Sequence, residues 1–179
     1  NTNVLETQNS MNTAKAQELA ELYAKLQTEM PRAIPSEGSV DARIFCVGEV
    51  VNFHEQDERK LLVGTIGELF RSLIEEHSGV PFTDWYFANI VKTHIPDNKD
   101  PSVEELEQHR KYLDAEIEIV NPELIITLGK FSLRKFLPGT TIVKVHGILH
   151  KIHYPVGLSG AGEPATVYVL PLFHPAAVM

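Results

Sequence analysis

The stretch RIFCVGEVVNFHE, residues 43–55, decides the fold. It opens with an apolar run over residues 43–47, which is typical of a parallel strand buried on both faces. Gly48 ends this run, and we expect residues 48–60 to be polar and irregular. Polar side chains therefore follow a buried strand directly, and α/β proteins bind their ligands at that edge of the sheet.

The rest of the chain alternates between the same two patterns. Further apolar runs predict strands over residues 85–91, 124–128 and 166–172. Helical spacing of apolar residues and a Ser102–Glu105 capping box predict helices over residues 12–27, 61–77, 103–120 and 130–136. We expect a hairpin, or a strand with its loop, over residues 141–153 and a glycine-rich surface loop over 155–164. This alternation predicts a three-layer α/β/α domain with a mostly parallel central sheet.

Length and composition fit one domain. The 179 residues are 43% hydrophobic and 22% charged, which are ordinary values for a globular protein. We expect the polar, patternless residues 1–11 to form a disordered or loosely held arm, and residues 12–179 to form the domain. Met179 follows what reads as the opening of a helix, so the natural domain is expected to continue beyond it.

Charge and cysteine content narrow the function. The net charge of −8 argues against a protein that is held on DNA by bulk charge, so any nucleic-acid function depends on specific residues. Cys46 is the only cysteine, which excludes an intrachain disulfide and a cysteine-rich metal site. No apolar run approaches the roughly 18 residues that cross a membrane. These features favour the cytoplasm.

The ends of the predicted strands bring together a few kinds of polar side chain. Glu49, Asn52 and Glu55 follow the first strand, Asn89 ends the second and His174 follows the last. Carboxylate, amide and imidazole groups around one pocket suit recognition of a planar ligand and hydrolysis by a positioned water. Neither a nucleophile elbow nor a phosphate-binding glycine motif is present.

The histidines do not predict a metal site. His146 and His150 would share one face of a strand, whereas His153 would face the other way. No carboxylate lies near them in sequence. A solvated or DNA-facing segment is the better interpretation.

Four segments resemble the family 4 uracil-DNA glycosylases, in the family's order and at compatible spacings. They are VGEVVNFHE with LLVGTIG (residues 47–67), NIVK with NKDP (89–101), NP with LGK (121–130) and LPLFHPAA (170–177). The resemblance spans about residues 38–177. It implies a DNA glycosylase that acts on a flipped-out base as a monomer, with DNA as its partner.

The resemblance also implies roles for individual residues. Asn89 would bond the Watson–Crick edge of the base, His174 would donate to the pyrimidine O2, and Glu55 would position water. The pocket residues would be Gly48, Glu49, Val50, Val51, Asn52, Phe53 and Leu62. The DNA contacts would be Lys92, Lys130, His146, Pro175 and Ala176.

The chain departs from the family in three ways. The family's cluster cysteines align with a stretch near residues 28–32 and with Thr93 and His109, so we expect no iron–sulfur cluster and no other cofactor. Val51 and Asn52 replace a proline and a glycine of the first motif. Leu62 stands where the family stacks an aromatic ring on uracil, and Phe53 is a candidate substitute.

Three functions remain open on these residues. The leading one is hydrolysis of the N-glycosidic bond of uracil or a related base in DNA. The first alternative is excision of another modified pyrimidine, such as the hypermodified cytosine of phage DNA, in a defence role. The second is a DNA-binding protein whose site has decayed, which the acidic charge would favour.

Overall fold

The computed structural model describes residues 2–154 and 165–177. Its helices are α1 (Thr2–Glu29), α2 (Phe53–Glu58), α3 (Gly64–His77), α4 (Val103–Val120), α5 (Lys130–Phe136) and α6 (Ile142–Val145). Its strands are β1 (Glu37–Gly38), β2 (Ile44–Val51), β3 (Trp85–His94), β4 (Leu124–Leu128), β5 (His150–Tyr154) and β6 (Ala165–Leu172). None of the helices described is long and apolar enough to cross a membrane.

The described strands form one sheet in the order β1-β3-β2-β4-β6-β5. The four central strands β3, β2, β4 and β6 are parallel, whereas β1 and β5 pair antiparallel at the two edges. The carboxyl ends of the central strands therefore meet along one edge of the sheet. The predicted α/β fold with a mostly parallel sheet is confirmed.

Alternation along the strands produces the layers. In β2, Phe45 and Val47 join a core cluster with residues of α1, α4 and α5, whereas Cys46 joins a cluster with residues of α3. Successive strand side chains point to opposite faces, so one buried strand supports helices on both sides. The same division holds in β3, where Tyr86 and Phe87 enter different clusters.

The first helix begins ten residues before the predicted start. The backbone is helical from Thr2, which extends the predicted helix through residues 2–11. The expectation that residues 1–11 form a disordered or loosely held arm stays a prediction. No proline or glycine interrupts residues 2–29, and a helix that is nucleated by packing propagates at little cost. Burial of Leu19 and Leu26 supplies that packing.

Two local predictions differ from the structure. The expectation of an irregular segment over residues 48–60 is wrong up to residue 58, because β2 continues to Val51 and α2 follows directly after Asn52. Of the two alternatives for residues 141–153, the hairpin is wrong, because residues 142–145 form the short helix α6 and β5 pairs with β6. The structure matches the other alternative, a strand with its loop. The glycine-rich loop predicted over 155–164 lies outside the described residues.

Lys92 lies in the core, although it was predicted to contact DNA. Its ammonium group donates to Glu116 Oε2 and to Ser36 Oγ, both at 2.8 Å. The side chains of Lys92 and Glu116 are both 0% exposed. The buried carboxylate on α4 explains the position of this lysine, because a buried charge needs an ionic partner.

We predict that Lys92→Met lowers the free energy of unfolding by about 3–5 kcal/mol, because it leaves the Glu116 carboxylate buried and unpaired. Urea unfolding measures this change. The double variant Lys92→Met with Glu116→Leu should recover most of the loss. Arg43→Ala, which breaks the exposed ion pair with Glu123, should change the free energy of unfolding far less. A single Lys92→Met variant as stable as the wild type would contradict the assignment.

Candidate active site at the carboxyl edge of the sheet

A cavity of about 100 Å³ lies at the carboxyl ends of β2 and β3. Eight of the residues predicted for the site line it: Gly48, Val50, Asn52, Glu55, Leu62, Asn89, His174 and Pro175. These residues come from four separate parts of the chain. The cavity therefore brings together Glu55, Asn89 and His174, the three side chains that were predicted to carry the chemistry.

Asn89 is positioned by the glycine opposite it. Gly48 and Asn89 are register partners in the parallel pair β2–β3. The Asn89 carboxamide oxygen occupies the place that a Cβ of residue 48 would take. The absence of a side chain at Gly48 thus lets the Asn89 carboxamide lie flat against β2 at the cavity wall.

Glu55 is positioned by a reciprocal cap at the start of α2. The Asn52 side chain accepts from the Glu55 backbone N–H at 2.9 Å, and Glu55 Oε2 accepts from the Asn52 N–H at 3.0 Å. The other carboxylate oxygen, Oε1, accepts from the Leu62 N–H at 2.8 Å. Each oxygen keeps a second lone pair, so the carboxylate can still bind a water in the cavity.

Two opposing effects act on the pKa of Glu55. Burial raises the pKa of this carboxyl, and the backbone N–H groups of Asn52 and Leu62 oppose the rise. Only 6% of the residue is exposed. A carboxylate in such a place is poorly solvated, and it is therefore a better acceptor for a water proton than an exposed one.

His174 is held in one tautomer. Its Nδ1 accepts from the Ala176 backbone N–H at 3.2 Å. Burial lowers the pKa of His174, and the nearby Glu49 carboxylate opposes that change. The imidazole is consequently neutral at neutral pH and carries its proton on Nε2, which is free to donate.

Glu49 does not line the cavity, contrary to prediction. Its carboxylate accepts from the Phe131 N–H at 2.7 Å, at the start of α5. It lies where a Cβ of Gly129 would be, and Gly129 has a φ of 93°. Glu49 thus joins the end of β2 to α5 and places a negative charge near His174.

Sequence comparisons identify the family. A sequence profile of the uracil DNA glycosylase superfamily matches residues 35–179. A type-4 uracil-DNA glycosylase of Sulfurisphaera tokodaii is 31% identical over 160 residues, which is 87% of this chain and 69% of that protein. One of Thermotoga maritima is 33% identical over 156 residues, 86% of this chain and 75% of its own. A DNA polymerase of Bacillus phage SP01 is 34% identical over 122 residues, 68% of this chain and 13% of its own.

The chain belongs to the uracil-DNA glycosylase superfamily. The resemblance inferred from its motifs is therefore confirmed. The four matching segments are distant in sequence, but each of them supplies residues that line the candidate cavity. Order and spacing of motifs were informative because the parallel strands deliver each motif to the same edge of the sheet.

Two predicted pocket residues lie outside this glycosylase cavity. Val51 is 1% exposed and packs in the core cluster that includes Leu61 and Phe70. Phe53 is 62% exposed on α2. Both lie beside the predicted turn, but β2 continues through Val51 and α2 begins at Phe53, so neither side chain lines the cavity.

The predicted DNA contacts of the glycosylase have mixed outcomes in the structure. Lys130 is exposed, but it donates to Asp100 Oδ2 at 2.7 Å. His146 is exposed and its Nδ1 accepts from the Phe173 N–H at 3.2 Å. Ala176 is exposed beside His174, whereas Pro175 is buried and lines the cavity.

Sequence reasoning missed the apolar walls of the cavity. Leu61, Ile66, Phe70, Phe87 and Leu128 line it together with the polar residues. The helical spacing of residues 61–77 indicated a buried face for α3, but spacing alone does not distinguish a core contact from a cavity wall.

The residues present do not fit a four-thiolate iron–sulfur cluster. Thr93 and His109, which align with two of the family's cysteines, are hydrogen-bonded through Oγ1 and Nε2 at 3.4 Å. His109 Nδ1 accepts from the Lys92 N–H, and burial together with the Lys92 charge lowers the pKa of His109 to about 4. The single thiol, Cys46, is buried in β2. Within the described residues, no three His, Cys, Asp or Glu side chains are grouped to hold a metal ion.

We predict that Gly48→Ala lowers uracil excision roughly 100-fold, because the new methyl group displaces the Asn89 carboxamide. Excision from a labelled oligonucleotide measures this change. The double variant Gly48→Ala with Asn89→Ala should excise uracil as fast as Asn89→Ala alone, since both changes remove the same contact. Full activity of Gly48→Ala would show that Asn89 does not need its observed position.

We also predict that His174 is neutral and protonated on Nε2 at neutral pH. Ring-nitrogen NMR shifts distinguish the two tautomers and the imidazolium form. A proton on Nδ1, or a charged ring at neutral pH, would contradict the contact with Ala176.

Proposed function

We propose that this protein hydrolyses the bond between uracil and deoxyribose in DNA and leaves an abasic site. The convergence of Glu55, Asn89 and His174 on one cavity carries this proposal. Superfamily membership supports it, as do relatives that are named type-4 uracil-DNA glycosylases.

In this proposal Asn89 and His174 recognise the flipped-out base. The Asn89 carboxamide offers one donor and one acceptor, which pair with O4 and N3–H of uracil. His174 donates from Nε2 to O2, where negative charge grows as the base leaves. Because His174 is neutral, it is a very weak acid, so it stabilises the departing anion by a hydrogen bond and keeps its own proton.

Glu55 then acts on water and on the sugar. The C1′–N1 bond breaks and its electron pair stays on the base, while the deoxyribose becomes cationic. The Glu55 carboxylate balances that cation and accepts a proton as the water oxygen bonds to C1′. The fixed orientation of Glu55, with a backbone N–H on each oxygen, holds it ready for this step.

The size of the cavity favours uracil over a bulky base. Its volume of about 100 Å³ is well below the roughly 300–1,000 Å³ of pockets for drug-sized ligands. Asn52 and Leu62 add side chains to its wall, and Asn52 is held by the α2 cap. A heavily modified cytosine of phage DNA would need these walls to move.

We also propose that the enzyme works as a cytoplasmic monomer without an iron–sulfur cluster, and that residues 12–179 act as one domain. The Thr93–His109 contact supports the absence of a cluster.

Incubation with uracil-containing oligonucleotides tests the proposal, with abasic sites scored by alkaline cleavage. We expect cutting at uracil and a loss of at least roughly 100-fold in His174→Ala and in Asn89→Ala. The exposed His77→Ala and Asn9→Ala serve as matched controls and should retain full activity.

Parallel reactions with hypermodified cytosine separate the alternatives. If the protein cuts at the modified base but not at uracil, the substrate is the modified base and not uracil. If neither DNA acquires abasic sites, the protein is not a glycosylase. Activity that survives both Asn89→Ala and His174→Ala would show that the site is misassigned.

A further inference from the structure

An exposed aromatic residue lies next in sequence to residues that line the cavity. Phe53 is the first residue of α2 and is 62% exposed. It sits between Asn52 and Glu55 in sequence, and both of these line the cavity. The ring is therefore presented to solvent at the same edge of the sheet that receives the flipped base.

Two imidazole rings flank Phe53. His54 lies edge-on to it, with ring centroids 5.8 Å apart, and His94 lies edge-on at 6.1 Å. These three rings come from α2 and from the end of β3, and they form one surface patch in which the two imidazoles stand nearly perpendicular to the Phe53 ring. We call this surface the Phe53 platform.

Contacts with the rest of the fold position the two imidazoles of the Phe53 platform. The His94 backbone N–H donates to Gln56 Oε1 at 3.0 Å. The ring Nδ1 of His94 lies 3.2 Å from the Val51 carbonyl oxygen, which can only accept. His54 packs against Gly64, at the start of α3. A surface ordered before binding loses little conformational entropy when a ligand stacks on it.

The ligand that suits this platform is a nucleobase. Bases have flat faces that stack on aromatic side chains whatever their sequence. Flipping one nucleotide into the cavity also removes a stacking partner from each of its neighbours. A ring beside the cavity can replace that lost partner.

We propose that Phe53 stacks on the base next to the excised one in the substrate strand, with His54 and His94 supporting it. This inference rests on the proposed glycosylase function and adds the mode of strand binding. Phe53 is a DNA-contacting residue here, not a catalytic one. Because stacking does not involve ion release, its contribution should persist at high salt.

The variant Phe53→Ala tests this role. We expect KM for a single-stranded uracil oligonucleotide to rise about 10-fold, with kcat unchanged, since the cavity keeps its residues. Phe53→Leu, which is apolar but not aromatic, should behave like Phe53→Ala, and Phe53→Trp should restore the wild-type KM. Tyr168→Ala removes another exposed aromatic residue, far from the cavity on β6, and should leave KM unchanged.

A double-mutant cycle that combines a change in the protein with a change in the DNA identifies the stacked base. The neighbour of uracil on each side is replaced in turn by a spacer without a base. For one of the two replacements, kcat/KM of the wild type should fall about 10-fold. For that same replacement, kcat/KM of Phe53→Ala should stay at its value for the unmodified strand.

The outcomes separate the two proposals. If the wild type cuts uracil but Phe53→Ala has the same KM, or responds to both spacers as the wild type does, the stacking role is overturned and the enzyme function stands. If Phe53→Leu matches the wild type, the contact is apolar rather than aromatic and the role is also overturned. A wild type that cuts nothing overturns the proposed function, and the stacking role with it.

Discussion

The candidate site depends most on one carboxylate that accepts two backbone N–H groups. Glu55 closes the cap of α2 through Asn52 and fixes the chain at Leu62, whose φ is 55°. A positive φ is costly for leucine, and the hydrogen bond helps to hold it there. The same side chain thus shapes two walls of the cavity and supplies the group that is proposed to act on water. Structure and chemistry cannot be varied independently at this position.

The parallel sheet supplies the second constraint. Pairing of β2 with β3 sets Gly48 beside Asn89, and pairing of β4 with β6 brings the segment that carries His174 to the same edge. A shift of one residue in either register would turn Asn89 or the end of β6 toward the opposite face. The buried clusters on both faces of the sheet resist such a shift, so the core maintains the geometry of the site.

Features with a local cause were predictable from the sequence, and those with a distant cause were not. The apolar run of β4 and the Ser102 cap of α4 depend only on neighbouring residues, and both were predicted correctly. The helix α2 is too short for periodicity to reveal, although its Asn52–Glu55 spacing is a capping signature. Lys92 was assigned to the surface because its partner Glu116 is 24 residues away. The exposure of Phe53 likewise depends on where β2 ends.

The acidic charge of the chain determines how it can hold DNA. More than half of its lysines and arginines already have a carboxylate within 4.0 Å, and Lys130 is among them. Attraction of phosphates by bulk charge is therefore weak. In the proposed function, recognition rests on contacts that salt screens little, namely the carboxamide of Asn89, the imidazole of His174 and the proposed stacked ring. On that proposal, we expect little affinity for undamaged duplex and a higher affinity where a base has left the stack.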